Sequence, residues 1–235
     1  MVSAVIVAAG LGLRMKSTTR KQYLPLAGRP MVVHTLQKFD NCPLIDQMCV
    51  VVPPDDLEEC RRLLSGGHIE KPVTCVAGGR ARQQSVYNGL RSLDRKEGLV
   101  AIHDGVRPFV EPALISACIR AAEISGACAP GIPAEDTLKR VRGAATIAET
   151  IDRTDLWLIQ TPQVFRYALI VEAHQRAILD GYAGTDDASL VERLGHPVTL
   201  VGGSKSNIKV TTAEDLVLAA ALLRAAAGEK PAAHF

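Results

Sequence analysis

Short unbroken apolar runs alternate along the chain with longer stretches in which apolar residues recur every three or four positions. The runs Ala4–Val7, Met48–Val52, Val73–Val76, Leu99–Ile102, Ala127–Ala129 and Val198–Val201 have the length and composition of strands buried on both faces. Between them the spacing predicts helices. Pro30 stands at a first helical position, with Met31, Val32, Leu36 and Phe39 on one face. Pro53, Pro54 and Asp55 open a helix through Leu64; Glu111 and Pro112 open another, with Leu114, Ile115, Cys118 and Ile119 inward. Ser85 leads into a further helix, and Arg166–Leu179 and Ala213–Ala227 complete the set. This alternation predicts an α/β fold: one Rossmann-like, mostly parallel sheet with helices on both faces. Residues 1–235 read as a single domain.

The segment 133–153 breaks the rhythm. Thr137–Arg142 and Thr146–Ile151 are polar and alternating, and Gly143-Ala144-Ala145 lies between them. They predict a projecting β-hairpin arm. A lone two-stranded hairpin is marginal in water. The arm therefore reads either as a dimerisation arm set against a second copy or as a solvated surface excursion. The tail Gly228–Phe235 is expected to fray.

Composition narrows the class. Apolar residues make up 47% of the 235, which allows a sizeable core. Aromatics are 4%, too few for stacking platforms that bind single-stranded nucleic acid. A net charge of +2 gives no overall basic field for duplex DNA or a membrane, so local clusters of Arg and Lys carry the information. The six cysteines form no C-x-x-C pair and read as reduced core thiols. The apolar run Val2–Ala9 is too short for a signal sequence, and no stretch is long enough to span a bilayer. A cytoplasmic protein is expected.

Ligands of open parallel sheets bind beyond the carboxyl ends of the strands. The first strand runs out into Ala8-Ala9-Gly10-Leu11-Gly12-Leu13-Arg14-Met15-Lys16, and Lys21 follows. Small residues let backbone approach a ligand, successive N–H groups cradle phosphate, and Arg14 and Lys21 neutralise it. Neither the dinucleotide fingerprint nor the P-loop fits, because Met15 stands at the deciding position of each. The third strand ends in Gly78-Gly79-Arg80-Ala81-Arg82, with Ser85 beyond. Alone, that pattern does not separate phosphate binding by Arg82 from a glycine turn with a helix cap. The fourth strand ends in His103-Asp104-Gly105-Val106-Arg107. Asp104 could hold Mg²⁺ or a ribose hydroxyl, or pair internally with Arg107; His103 reads as packed rather than catalytic. Polar clusters follow at Asp136-Thr137, at Arg153 with Thr161-Pro162-Gln163, and at Thr185-Asp186-Asp187, each of which singly reads as turn or cap chemistry. Lys209, inside the strand-like frame Asn207–Thr211, predicts an inward amine with an anionic partner.

Taken in order, these motifs resemble the 2-C-methyl-D-erythritol 4-phosphate cytidylyltransferase family from about Ser3 to about Leu222. The matching segments are Ala8–Met15, Lys21–Leu26, Gly78-Gly79 with Arg82 and Ser85-Val86, and His103–Pro108. They continue with Asp136-Thr137 and Lys139-Arg140, Asp152-Arg153, Thr161–Gln163, Thr185-Asp186 with Ala188-Ser189, and Asn207–Thr211. The resemblance implies cytidylyl transfer from CTP to a polyol phosphate, with Mg²⁺ as cofactor, and a homodimer formed through the arm. It implies that Arg14, Lys21, Lys209 and Arg153 are catalytic. Ala8, Ala9, Gly10, Gly12, Gly79, Ser85, Asp104 and Gly105 would hold the nucleotide, with Asp104 next to the metal. Arg107, Thr137, Arg140, Arg153, Thr161, Thr185 and Lys209 would hold the polyol phosphate. Three positions depart from the family pattern. Arg20 replaces a proline before Lys21, which bears on the rigidity of the loop. Arg80 stands where an acidic or small residue is common, and Asp187 replaces a glutamate beside Thr185.

Three other readings compete. A pentitol-phosphate enzyme acting on ribitol 5-phosphate would share the fold. A non-catalytic nucleotide-binding relative would not need Arg14, Lys21 and Lys209 together. A nicotinamide oxidoreductase fails at Met15 and Pro53.

Overall fold

The computed structural model describes residues 1–10, 20–66, 69–94, 96–143 and 145–226. Its centre is a twisted sheet whose parallel part contains β1 (Val2–Val7), β4 (Gln47–Val52), β5 (Val73–Ala77) and β6 (Leu99–Asp104). These lie in the spatial order β5-β4-β1-β6. Two very short strands, β2 (Pro25–Leu26) and β3 (Arg29–Pro30), form a separate ribbon. Beyond β6 comes β11 (Gln163–Arg166), antiparallel to it, and then β7 (Ala127–Pro133). Both β10 (Trp157–Ile159) and β12 (Thr199–Gly202) pair with β7, the first antiparallel and the second parallel.

Strand β1 explains the layering. Its side chains alternate, so Ala4 and Ile6 enter one core while Val5 enters the other. On the first face lie α1 (Met31–Asp40), α2 (Leu57–Leu64) and α4 (Pro112–Ser125), through Leu36, Phe39, Cys60, Ile115 and Ile119. On the second lie α3 (Arg82–Ser92), α5 (Tyr167–Leu179) and α6 (Asp187–Arg193), through Val86, Leu90, Ile170 and Val191. Burial on both faces is why β1 and β4 read as near-continuous apolar runs. A third, smaller cluster sets Leu26, Met31 and Val106 against α7 (Ala213–Ala226). The six cysteines are free thiols.

Local chemistry sets the helix ends. Pro112 opens α4, and Gly126 closes it at φ 85°, donating its N–H to Ala122 O. The Asp186 carboxylate accepts from Ser189 N, and the Ser189 hydroxyl reaches back, forming a capping box on α6. The Thr185-Asp186-Asp187 cluster is thus cap chemistry in part. Pro30 precedes α1 as its cap instead of occupying its first turn. Ser85 lies inside α3 and does not cap it.

Some expectations are corrected. Strands β10 and β11 and helix α6 were not predicted, because three, four and seven residues are too few to display a period. Strand β7 continues through Pro130 and Gly131, residues that normally end strands. Pro130 has no N–H to contribute, but its carbonyl accepts from Gln160 N at 2.7 Å. Asn207–Thr211 is not a strand. The arm is present as β8 (Leu138–Arg142) and β9 (Thr146–Ile151), paired with each other and largely exposed. The expected fraying of Gly228–Phe235 lies outside the described residues.

Gly89, in α3, faces β1 and β4 closely: a Cβ there would stand 2.6 Å from Val5 Cγ1 and 2.8 Å from Val51 Cγ2. Both valines are fully buried. Gly89→Ala gains about 1 kcal/mol of helix propensity, but overpacking a closed core costs about 1–3 kcal/mol. The expected net result is a lower denaturant midpoint. An unchanged or higher midpoint would show that the two valines give way freely.

Candidate active site

A crevice of about 800 Å³ opens where β1, β4, β5 and β6 end. The chain reverses its direction of strand addition at β1, going first to β4 and β5 and then across to β6. Such a switch point leaves a gap between diverging loops, which is where ligands of open α/β sheets bind. One wall carries Ala8, Ala9 and Gly10 with Lys21; another carries Gly78, Gly79 and Ser85; the floor carries Asp104, Arg82 and Lys209.

The backbone can approach closely here because side chains are absent. A Cβ on Gly78 would stand 2.4 Å from the Ala9 Cβ, so the loops after β1 and β5 pack with no space for one. Gly79 N donates to Ser85 Oγ at 3.0 Å, and Ser85 in turn donates to Ala81 O. Ser85 therefore shapes the glycine loop from beneath.

Asp104 is the electrostatic centre. Its carboxylate is 8% exposed, and three cations surround it. Arg82 Nε stands 3.0 Å from Oδ1, Lys209 Nζ 2.7 Å from Oδ2, and Arg107 Nε 3.8 Å from Oδ2. Burial alone would raise this carboxyl, but the Arg82, Lys209 and Arg107 charges outweigh it and hold it far below the usual range. The expected anionic partner of Lys209 is thus Asp104, although the segment carrying the lysine is not a strand. The expected internal pair with Arg107 exists but is the longest of the three. Arg82 also reaches Asp187 Oδ2 at 2.8 Å; its two carboxylates overcome burial and raise its pKa.

The predicted residues divide into three groups. Ala8, Ala9, Gly10, Lys21, Gly79, Ser85, Asp104 and Lys209 come together on the crevice. Gly12 and Arg14 lie outside the described residues. The others are placed elsewhere. Gly105 is buried behind β1, its N–H bonded to Val7 O and its carbonyl to Thr35 Oγ1. Arg107 donates to Asn207 O at 2.7 Å and so braces the segment carrying Lys209. Thr161 is buried, and its hydroxyl accepts from Asp104 N and bonds His103 Nδ1. In this structure these three brace the floor through their own hydrogen bonds. Thr137, Arg140, Arg153 and Thr185 are exposed and away from the crevice lining. Arg140 pairs with Glu149 across the arm.

The departures have partners. Arg20 Nη1 lies 3.1 Å from Asp56 Oδ2, with Asp55 at 3.6 Å, so an ion pair fastens the segment before Lys21 to the turn after β4. Asp187 is fully buried between Arg82 and His174, so it supports Arg82 rather than Thr185. The contact of Asp187 and His174 behind Arg82 was not foreseen. Asp187 stood within a capping cluster, and a lone histidine in a helix gives no signal.

A parallel β5-β4-β1-β6 sheet, with glycine loops and cations gathered at its switch point, places the chain among Rossmann-like proteins with an anion-binding crevice at the carboxyl edge. The family model for 2-C-methyl-D-erythritol 4-phosphate cytidylyltransferase matches residues 2–225, and the chain belongs to that family. It is 48% identical to the 2-C-methyl-D-erythritol 4-phosphate cytidylyltransferase of Syntrophus aciditrophicus over 95% of this chain and 96% of the relative. Identity to the enzyme of that name from Caldanaerobacter subterraneus is 46%, over 95% and 99%. Among solved structures, 4-diphosphocytidyl-2C-methyl-D-erythritol synthase from Anaerococcus prevotii superposes with a TM-score of 0.84 at 33% identity, covering 95% and 96% of the two chains. The cytidylyltransferase from Thermus thermophilus gives 0.77 at 36%, covering 95% and 100%. These relatives do not favour the pentitol, non-catalytic or oxidoreductase readings.

His103 underlies the floor, fully buried between Phe39 and Thr161. Burial is the main cause that lowers its pKa to about 3. The unfolded chain takes up this proton near pH 6.5 and the folded chain does not, so acid removes stability between those values. From pH 6.5 to 5 this group should remove about 1.5 kcal/mol. Urea unfolding of wild type and His103→Gln across that range checks it: the variant should show the shallower pH dependence, and equal slopes would refute the assignment.

Proposed function

We propose that this chain transfers the cytidylyl group of CTP to 2-C-methyl-D-erythritol 4-phosphate. A phosphate oxygen of the polyol attacks the α-phosphorus; the new O–P bond forms as the α–β bridging bond breaks, and pyrophosphate leaves with the electron pair. The observation that carries this reading is the meeting of Lys21 and Lys209 over a glycine-walled crevice, with Arg82 bonded to Asp104 beneath them, in a chain of this family. The attacking oxygen is already anionic, so no strong base is needed. The obstacle is repulsion between two anions, which positioned cations reduce. Lys209 faces the incoming phosphate and Lys21 the triphosphate, with Arg14 expected beside it from the family pattern. The backbone of Ala8, Ala9 and Gly79 holds the base.

Among the described residues Asp104 is the one carboxylate on the crevice lining, and they contain no cluster of three metal-ligating side chains. Both Asp104 oxygens already face cations, so Mg²⁺ here would draw its shell chiefly from substrate phosphates and water, with Asp104 as at most one ligand. When bound, the ion would neutralise triphosphate charge. Asp104 would hold it while keeping Lys209 oriented.

Residues 1–235 are proposed to form one domain, with 133–153 as a dimerisation arm. The exposed Val141, Ile147, Trp157, Leu158 and Ile159 support a self-associating face. Thr137, Arg140 and Arg153 on and beside the arm would then complete the polyol site of a partner copy. No described helix is long and apolar enough to cross a membrane, which is compatible with the cytoplasmic location proposed here.

Pyrophosphate release should be much faster with CTP and methylerythritol phosphate than with CTP and ribitol 5-phosphate; the reverse preference would overturn the substrate assignment. Lys209→Ala should lower kcat on the order of 100-fold, as loss of one charge-stabilising donor does elsewhere. For the dimer, sedimentation should give twice the 25.1 kDa chain mass. Leu158→Asp should shift it toward monomer and reduce turnover; a fully active monomer would rule out a shared site.

A further inference from the structure

A line of polar and charged side chains runs from the interior to the crevice. Buried His174 Nε2 lies 3.3 Å from Asp187 Oδ1. Asp187 Oδ2 accepts from Arg82 Nη1 at 2.8 Å, and Arg82 Nε donates to Asp104 Oδ1 at 3.0 Å. Asp104 Oδ2 then meets Lys209 Nζ at 2.7 Å. Only the last three of these residues reach the crevice; Asp187 and His174 do not.

A guanidinium is planar, so fixing one of its nitrogens fixes the direction in which the others donate. We propose that Asp187 and Arg82 are positioning residues for the transfer reaction: Asp187 sets the plane of Arg82, Arg82 sets the rotamer of Asp104, and Asp104 thereby holds Lys209. The proposal rests on the reading of Asp104 and Lys209 as active-site groups. A purely structural role for Asp187 is argued against by the independent anchoring of α6. Gln163 Nε2 donates to Asp186 Oδ2 at 2.7 Å, and Gln163 Oε1 accepts from Ala188 N at 2.9 Å. Ala188, Leu190 and Val191 of α6 are also buried in the second core. The helix is thus docked without the Asp187 charge, which is left to act on Arg82.

The experiment is a set of coupled substitutions, with kcat and the KM for CTP obtained by varying CTP at saturating methylerythritol phosphate, well below each melting temperature. Asp187→Asn keeps the volume and removes the charge. Arg82→Lys keeps the charge and removes the fork. Each should lower kcat on the order of 10-fold with KM for CTP changed by less than about 2-fold. The double variant should be no worse than the poorer single one, since both break one linkage. In a Lys209→Ala background, Asp187→Asn should cause no further loss, and Asp187→Glu alone should restore kcat to within about 3-fold of wild type. Multiplying effects, a further loss on Lys209→Ala, or wild-type kcat in Asp187→Asn would each overturn the relay. If Lys209→Ala itself turns over normally, the active-site reading fails and the relay with it. If Lys209→Ala is impaired while Asp187→Asn is not, only the relay fails. Should Asp187→Asn not fold, Arg82→Lys against Lys209→Ala decides alone by the same criteria.

Discussion

The carboxylate of Asp104 is the constraint around which the site is arranged. A buried negative charge without partners is prohibitively unfavourable, and its removal from one side only would leave several kcal/mol uncompensated. Here Arg82, Lys209 and Arg107 come from α3, from the segment after β12 and from the loop after β6. One carboxylate thus brings three distant stretches of chain together. It also keeps cations concentrated in a crevice that is meant to receive more negative charge. Three cations around one carboxylate, with Asp187 behind Arg82, leave the floor positive before any phosphate arrives.

The sheet makes that concentration possible. Parallel strands end at one edge, so every loop after β1, β4, β5 and β6 opens on the same side. The reversal at β1 then separates those loops enough for a ligand. Glycines do the remaining work: Gly78 lets the β5 loop lie directly on Ala9, which a side chain would prevent. The loop after β1 and the loop after β5 are therefore one surface, built from opposite ends of about seventy residues of chain. Beneath it, neutral His103 fixes Thr161, and Thr161 fixes the backbone N–H of Asp104.

Much of this was legible in the chain. Buried parallel strands announce themselves as apolar runs, and small residues followed by cations at their ends mark the ligand edge. Lys21 and Asp104, both on the crevice, were singled out that way, whereas Lys209 was singled out from a strand-like frame that is not a strand. What stayed hidden depends on pairing that no local pattern encodes. Strands β10 and β11 are too short to show alternation. Asp187 and His174 lie 105 and 92 residues beyond Arg82 in the numbering, and their meeting is a product of tertiary packing. Arg107 and Thr161 were expected to hold the polyol phosphate, and in this structure their hydrogen bonds turn inward. A polar residue near a strand end is read equally well as a ligand contact or as a brace for one.

Arg20 shows how the same constraint bears on a departure from the family pattern. A proline at this point would limit the backbone directly. Arginine leaves the backbone free and restrains it through Asp56 at 3.1 Å instead, with the more exposed Asp55 adding little. The partner side matters: Asp56 follows Pro53 and Pro54, which line the same crevice as Lys21. The ion pair therefore ties two lining segments of the crevice to each other, where a proline would stiffen only one. It also consumes a positive charge that would otherwise stand beside Lys21. The two solutions meet one requirement, that Lys21 enter the crevice from a fixed direction, and they differ in salt sensitivity, because only the charged one weakens as ionic strength rises.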